Sequence, residues 1–392
     1  MPRCSSGSKR VRFQGRPIAT WLLVTTAAAF ACSSPVGGQD VRYGRFRDVS
    51  AGDRHTCALA AGGPVICWGV IATEPPREPG RRVRSPFEVP GTRGARALAS
   101  GSGFSCAIGS AREVLCWGQI VPLPMPVAQP WRVSLPRRAR QISAGDSHAC
   151  AVLEGGQARC WGVNGAGQLG DGTTESRLEP ARVRLRGRVL EVASASMSSC
   201  ARTADGDIWC WGIPDVTVEP IPVRLGPYPG VVQMHGNGAL RCAVERGGTA
   251  LCWGANGTGQ LGDGTTRNSE DPVSVQGLSD AVQVEAGLAP CARRADGTVT
   301  CWGEAPCRTG DWDPRARVTP TPVAGITDSV DISVGSRHAC SVGRDGAMRC
   351  WGNNLYGQLG DGTSVCRPDP VPVVRIWPTR PDSAPRQVGT PP

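Results

Sequence analysis

The chain has 392 residues, among them 52 Gly, 34 Pro and 18 Cys, and its 43 basic against 33 acidic side chains give a formal net charge of +10. The length is enough to bury a core without cross-links. Apolar residues alternate over short runs with no helical period, which excludes a helical fold and points to short strands and tight turns.

The first element is residues 1–31. A basic stretch (Lys9, Arg10, Arg12, Arg16) leads into an apolar run from Ile18 to Ala31, and Cys32 follows. The run is short for a membrane span and reads as an export signal. Two endings are open. Ala29-Phe30-Ala31 fits an ordinary signal-peptidase site, whereas Cys32 after small residues fits a lipoprotein signal whose Cys is acylated. Parity favours the second, because setting aside Cys4 and Cys32 leaves an even sixteen cysteines. Cleavage would remove five basic residues and no acid, lowering the net charge to +5. Residues 32–44 then form a linker.

From about 41 to 376 the chain repeats itself, and the folded domain is placed at 45–376. Pairs of Cys ten apart, the second followed by Trp-Gly, occur at Cys57/Cys67, Cys106/Cys116, Cys150/Cys160, Cys200/Cys210, Cys242/Cys252, Cys291/Cys301 and Cys340/Cys350. A period of 42 to 50 residues marks a propeller or solenoid. In "CSVGRDGAMRC" (340–350), a three-residue loop at Arg344-Asp345-Gly346 pairs Gly343 with Ala347 and sets Cys340 opposite Cys350. Its third position favours a left-handed residue. Gly63, Gly156, Gly206, Gly248, Gly297 and Gly346 occupy it, with Arg112 as the exception, so the second hairpin is expected to turn differently. Cysteines directly opposite at a non-hydrogen-bonded pair can form a disulfide. Metal binding would need C-x2-C clamps or two further ligands per pair, and neither is evident.

The unit "QISAGDSHACAVLEGGQARCWGVNGAGQLGDGTT…EPARV" resembles the repeat of the regulator of chromosome condensation superfamily, over most of the chain. Repeats three, five and seven keep nearly all of it. The resemblance implies an all-β, seven-bladed β-propeller with four-stranded blades, here with one disulfide-bridged hairpin in each. It also implies that N- and C-terminal strands meet in one blade to close the ring. The cysteine pairs depart from the nuclear family's pattern, and no unit is long enough to hold the wedge of the nuclear exchange factor. Cys307 and Cys366, in adjacent units, are candidates for a bridge between blades. The tail 377–392 reads as disordered.

Several motifs resolve into structure rather than chemistry. "GAGQLG" (165–170) and "GTGQLG" (257–262) match a dinucleotide fingerprint but open no helix. Asp171, Asp263 and Asp361 sit in tight turns, with too few oxygen neighbours for calcium. His55, His148 and His338 share one repeat position, as hydrogen-bonded structural residues do, and His235 stands apart. The seven repeat Trp fill blade interfaces, since Phe is scarce. Arg182, Arg184, Arg186 and Arg188 alternate and would share one strand face, solvated or turned to an anionic partner. No paired carboxylates or Ser-His-Asp order rise above the repeat, so no catalytic, cofactor or metal residue is assigned.

What breaks the pattern is a better candidate for function. The irregular loops of units one, two, four and six, at about 70–95, 119–139, 213–230 and 304–322, carry Phe87, Trp131, Tyr228 and Trp312, a candidate binding surface. Paired cysteines suit an oxidising compartment. The sequence therefore reads as an exported, lipid-anchored, monomeric and non-enzymatic scaffold, which binds a protein or polysaccharide at the cell envelope. It has no cofactor and no nucleic-acid partner, and it meets the membrane only through the anchor. The alternatives are an envelope polysaccharide-acting enzyme, or a guanine-nucleotide exchange or chromatin factor like the nuclear family members.

Overall fold

Turn geometry sets the register of every hairpin, and the hairpins build the ring. A computed structural model describes residues 45–71, 86–120, 127–213, 218–304, 307 and 317–374. Residues 1–31, expected to be an export signal, and Cys32, Trp312 and the tail 377–392 lie outside these residues. There are seven antiparallel sheets of four strands, and each is made from one contiguous stretch of chain: 46–88, 97–133, 139–182, 189–227, 231–274, 281–322 and 329–372. We number these blades 1 to 7. Within a blade the strands run in sequence order from the inner strand, on the central channel, to the outer strand.

The ring has seven separate cores, one between each pair of neighbouring blades. The Trp that follows each second Cys lies in one of them. Trp117 packs between blades 1 and 2, and Trp161 between 2 and 3. Trp211, Trp253, Trp302 and Trp351 fill the next four interfaces in turn. Trp68 completes the ring between blades 7 and 1. Burying an indole of this size is worth roughly 4–6 kcal/mol of transfer free energy, so the repeat position that looked like decoration supplies the adhesive between tiles.

The seam differs from the expectation of a shared blade. Blade 1 and blade 7 each keep four strands of their own. Closure comes from side chains instead. Asp331 Oδ2 accepts the Val49 amide at 3.0 Å, Ser333 Oγ accepts the Ala51 amide at 2.9 Å, and the shared core holds Val49, Trp68, Val342 and Leu359. A ring whose blades are held by interdigitated side chains needs no exchanged strand.

In the seventh hairpin Gly343 N donates to Ala347 O at 2.8 Å, and Cys340 lies opposite Cys350. Gly156, Gly206, Gly248, Gly297 and Gly346 are all left-handed there, as expected. The exceptional hairpin, however, is the first and not the second. Gly62 takes the left-handed conformation in place of Gly63, whereas Arg112 adopts it itself, with φ of 64°. The three-residue loop closed by Gly109 and Glu113 is otherwise that of its neighbours, so the turn is imposed on Arg112 despite its Cβ. An L-residue in this region costs about 1 kcal/mol or more. Arg112→Gly is therefore expected to raise the unfolding free energy by about 1 kcal/mol, measured by denaturant unfolding of the oxidised protein.

Candidate functional site

All sixteen cysteines within the described residues are paired. Seven bridges join partners ten apart: Cys57–Cys67, Cys106–Cys116, Cys150–Cys160, Cys200–Cys210, Cys242–Cys252, Cys291–Cys301 and Cys340–Cys350, with Cα–Cα distances of 4.0 to 4.1 Å. Each sits at a directly opposed pair of the second and third strands of its blade. The eighth, Cys307–Cys366, has a Cα–Cα distance of 5.9 Å and ties blade 6 to blade 7. Each half-cystine of the hairpins is buried.

The hairpin count says nothing of the outer strand, and there the second Cys of a pair marks a departure from a regular ladder. Cys160 faces Ala181, but Gly162 faces Arg177; Cys252 faces Val273, but Gly254 faces Ser269. The outer strand thus advances four residues while the third strand advances two. The same shift follows Cys116, Cys210 and Cys350. Its cause is the Gly after the Trp: Gly162 and Gly254 have φ of 116° and 111°, which breaks the pleat.

The repeat histidines and tryptophans link blade to blade. His55 Nε2 meets Ser105 Oγ, His148 Nε2 meets Ser199 Oγ, and His338 Nε2 meets Thr56 Oγ1, all at 2.8 Å and all in the following blade. Thr56 donates its proton to the Gln358 carbonyl at 2.8 Å, so His338 Nε2–H is the donor to it. Burial pushes His55 and His148 down to about 4 and His338 to about 3, leaving neutral rings. Trp211, Trp302 and Trp68 donate their indole N–H to the carbonyls of Gln168, Gln260 and Gln358 at 2.7 to 2.8 Å. Those glutamines belong to the Gly-Gln-Leu-Gly loops of the preceding blades. Trp117 and Trp161 follow blades with irregular loops, and their buried N–H groups have no acceptor among the described residues.

The loops themselves are turns. Asp171 Oδ1 accepts the Thr173 amide at 2.9 Å and its hydroxyl at 2.7 Å, and Asp263 and Asp361 do the same for Thr265 and Thr363. Burial works against the Asp171 carboxylate, but hydrogen bonds from Thr173 and Arg177 outweigh it and hold its pKa below the ordinary value. A side chain at left-handed Gly170 would meet the Trp211 indole nitrogen at 2.7 Å, so the glycines serve packing and not a phosphate.

The channel holds what sequence reasoning missed. In the inner strands of blades 3, 5, 6 and 7 one side chain reaches into the backbone of the next blade. Gln141 clamps Val192 through Nε2 to O at 2.8 Å and Oε1 from N at 3.1 Å, and Gln233 clamps Val284 at 3.0 and 3.0 Å. Gln283 donates to Ile332 O at 2.9 Å and to Asp331 Oδ1 at 2.9 Å. Two residues further on, Ser143 accepts the Ser194 amide and His235 Nδ1 the Ala286 amide, both at 2.9 Å. These two girdles surround a polar hollow of about 190 Å³. Truncation of Gln233 to Ala strands the Val284 amide and carbonyl at a blade interface, and is expected to cost about 2–3 kcal/mol in unfolding free energy, read by denaturant titration.

Acidic residues do cluster here, contrary to the sequence reading. Asp48 and Asp331 are hydrogen-bonded to each other across the seam, and Glu285 Oε2 lies 3.2 Å from His235 Nε2. Burial, then the Asp331 charge, raises the pKa of Asp48 and of Glu285 well above the ordinary range, and burial raises that of Asp331. Because Nδ1 accepts a backbone N–H and burial lowers its pKa to about 4, His235 is neutral. Asp48 is more than two hundred residues from Glu285 and Asp331 in sequence, and only ring closure brings it to them. Two carboxyls in direct contact share a proton. Glycosidic cleavage needs two carboxyls separated by about 5–9.5 Å, which the directly bonded Asp48–Asp331 pair does not provide.

The candidate aromatic surface is dispersed. Phe87 and Trp131 lie in outer strands opposite Cys67 and Cys116, not in loops, and pack against the cores of blades 1–2 and 2–3. Tyr228 packs against the core of blades 4–5, where burial and then the Asp271 charge raise its pKa. Alternation along the outer strand turns Phe87 and Trp131 toward the neighbouring blade. Among the described residues no group of three or more His, Cys, Asp or Glu is arranged to hold a metal ion.

Comparison with known proteins agrees with this architecture. The regulator of chromosome condensation (RCC1) repeat matches residues 46–70, 139–168 and 330–358 in one form, and 156–202 and 247–289 in a second. The human E3 ubiquitin-protein ligase HERC2 is 32% identical over 122 residues, 30% of this chain but 2% of that protein. This chain thus spans only a small part of that relative. Human WBSCR16 superposes with a TM-score of 0.68 at 22% identity, covering 82% of this chain and 94% of that one. Prp20p from Saccharomyces cerevisiae gives 0.68 at 16%, covering 85% and 88%, a likeness of fold alone. This chain is a disulfide-bridged seven-bladed β-propeller in which five segments match the regulator of chromosome condensation repeat.

Proposed function

We propose that the chain is an exported propeller, anchored through an acylated Cys32, which serves as a non-enzymatic scaffold binding another macromolecule at the cell envelope. The observation that carries this reading is the pairing of all sixteen described cysteines. Such pairing persists in oxidising compartments and not in the cytosol. A basic-then-apolar leader ending at Cys32 fits the same compartment. The scaffold role is supported by how the channel's polar groups are used: its glutamines, Asp331 and His235 hold neighbouring backbones, and its carboxyls touch each other. HERC2 is a ligase by name, but the similar segment is 2% of it and brings no such activity here.

The test is Cys32→Ser. With the wild type in the membrane fraction of the envelope, the variant is expected in its soluble fraction with the propeller intact. Equal distribution of the two would refute the anchor, and cytosolic wild type would refute export.

A further inference from the structure

The face of the ring that carries the hairpin turns and the inter-blade linkers is unevenly charged. Over blades 5 to 7 its linkers present Asp280 and Asp328, and its hairpin tips Asp296 and Asp345 beside single arginines, Arg246, Arg294 and Arg344. Over blades 2 to 4 arginines outnumber the acids of the hairpin tips, Glu113, Glu154, Asp205 and Asp207. The centre of this sector is an open hollow of about 520 Å³ between the blade 2 hairpin and the linker into blade 3, lined by Arg112, Arg132, Arg137 and Arg138. Ala139 N donates to Arg112 O at 2.9 Å, fixing hairpin tip to linker. Glu113 is the one acid in the lining, and Arg112 stands 3.8 Å from Glu154 of the next tip, with both side chains about 40% exposed. Arg132 and Arg138 have no carboxylate within salt-bridge distance among the described residues. Beyond the blade 3 tip the strip continues. Gly156 abuts Arg188, and Arg184, Arg186 and Arg188 are all exposed on the linker into blade 4. Of the alternating arginines only Arg182 is in the outer strand; the others follow it.

Arg112 is the telling residue. Five other hairpins place a left-handed Gly at its position, and a non-Gly residue there bears a conformational cost. Strain of this kind concentrates where a side chain has a task. Here the task is to aim a guanidinium over a hollow already crowded with three others, an arrangement that repels itself until an anion arrives. Guanidinium forks match sulfate, phosphate and carboxylate groups in two-pronged geometry.

We propose that this strip binds an anionic polysaccharide, with Arg112, Arg132, Arg137 and Arg138 holding its sulfate, phosphate or uronate groups. A glycan fits better than nucleic acid for two reasons. Trp131, the aromatic beside Arg132, packs against the core between blades 2 and 3, which removes it as a platform for stacked bases. The disulfides place the protein where glycans are the polyanions at hand, a point that rests on the envelope reading above.

The oxidised protein is titrated with dextran sulfate, polygalacturonate, neutral dextran and duplex DNA at several salt concentrations. Dextran sulfate or polygalacturonate is expected to bind, with affinity falling steeply with salt, and neutral dextran is not. Arg112→Gly should weaken binding by about threefold while the fold becomes more stable, so lost binding cannot be blamed on unfolding. Adding Arg137→Ser and Arg138→Ser should bring the loss to about tenfold or more and flatten the salt dependence. Exposed Arg246, at the blade 5 tip, is the control, and Arg246→Ser should leave binding within about twofold. The proposal is overturned if neither anionic glycan binds, if Arg246→Ser weakens binding as much as Arg112→Gly, or if DNA binds as tightly at equal charge. A cytosolic location would remove the envelope reading while this titration still judged the strip.

Discussion

Complete reduction is expected to unfold the propeller at room temperature. Each hairpin bridge closes a loop of ten residues and contributes about 2–3 kcal/mol by restricting the unfolded chain. Cys307–Cys366 spans 59 residues and contributes about 4 kcal/mol on the same basis. Seven of the first kind and one of the second exceed the roughly 5–15 kcal/mol by which folded domains usually outlast their unfolded states. Thiol titration alongside circular dichroism checks this, and a reduced, alkylated protein that kept its near-ultraviolet signal would contradict it. Graded variants sharpen the test. Cys200→Ser with Cys210→Ser should cost less than Cys307→Ser with Cys366→Ser, because the second pair restrains the longer loop. The reverse order would mean that the bridges act through native packing.

The second large effect is on pH dependence. His148 is buried, its Nε2 faces Ser199, and burial lowers its pKa from 6.5 to about 4. The folded protein thus holds fewer protons at this site than the unfolded chain across that window. Stability from this group is fully present above pH 6.5 and is lost as pH falls toward 4. The loss amounts to about 3 kcal/mol. His148→Gln removes the titration but also disturbs the contact with Ser199. The variant should therefore be less stable than wild type at pH 7, with a deficit that shrinks by about 3 kcal/mol on going to pH 4. Glu191 works in the opposite direction. Burial pushes it up to about 7 despite Arg202 at 3.3 Å, so its contribution declines as pH rises through that range. The wild-type profile mixes both signs, and the difference between wild type and variant isolates His148. Urea unfolding at pH 4, 5, 6 and 7 reads it, and a deficit constant with pH would contradict a neutral buried ring.

The repeat made much of the fold legible before any coordinates. Loop length fixes hairpin register, so Cys340 had to face Cys350, and the same count works for the other six pairs, Cys150 with Cys160 and Cys242 with Cys252 among them. Trp at a fixed offset from that register had to meet the neighbouring tile. The channel was harder to read because one structural task is done by different residues. Nine positions before the first Cys stand Asp48, Ala97, Gln141, Glu191, Gln233 and Asp331, and in the sixth unit a shorter turn moves Gln283 to eight. Aligned on the hairpins, that column is almost wholly polar within an apolar strand, a signal that was available but weak. Ring closure and the Asp48–Asp331 contact depend on where strand 1 meets blade 7, which no local pattern encodes. Arg112 was visible as an exception, yet only the backbone shows that the turn yielded nothing to it.

The most direct test of the account as a whole is non-reducing peptide mass mapping of the native protein recovered from fractionated cells. Seven bridges between cysteines ten apart and Cys307 joined to Cys366 are expected, in chains from the envelope that begin at an acylated Cys32. Free thiols in a cytosolic chain that retains residues 1–31 would contradict it.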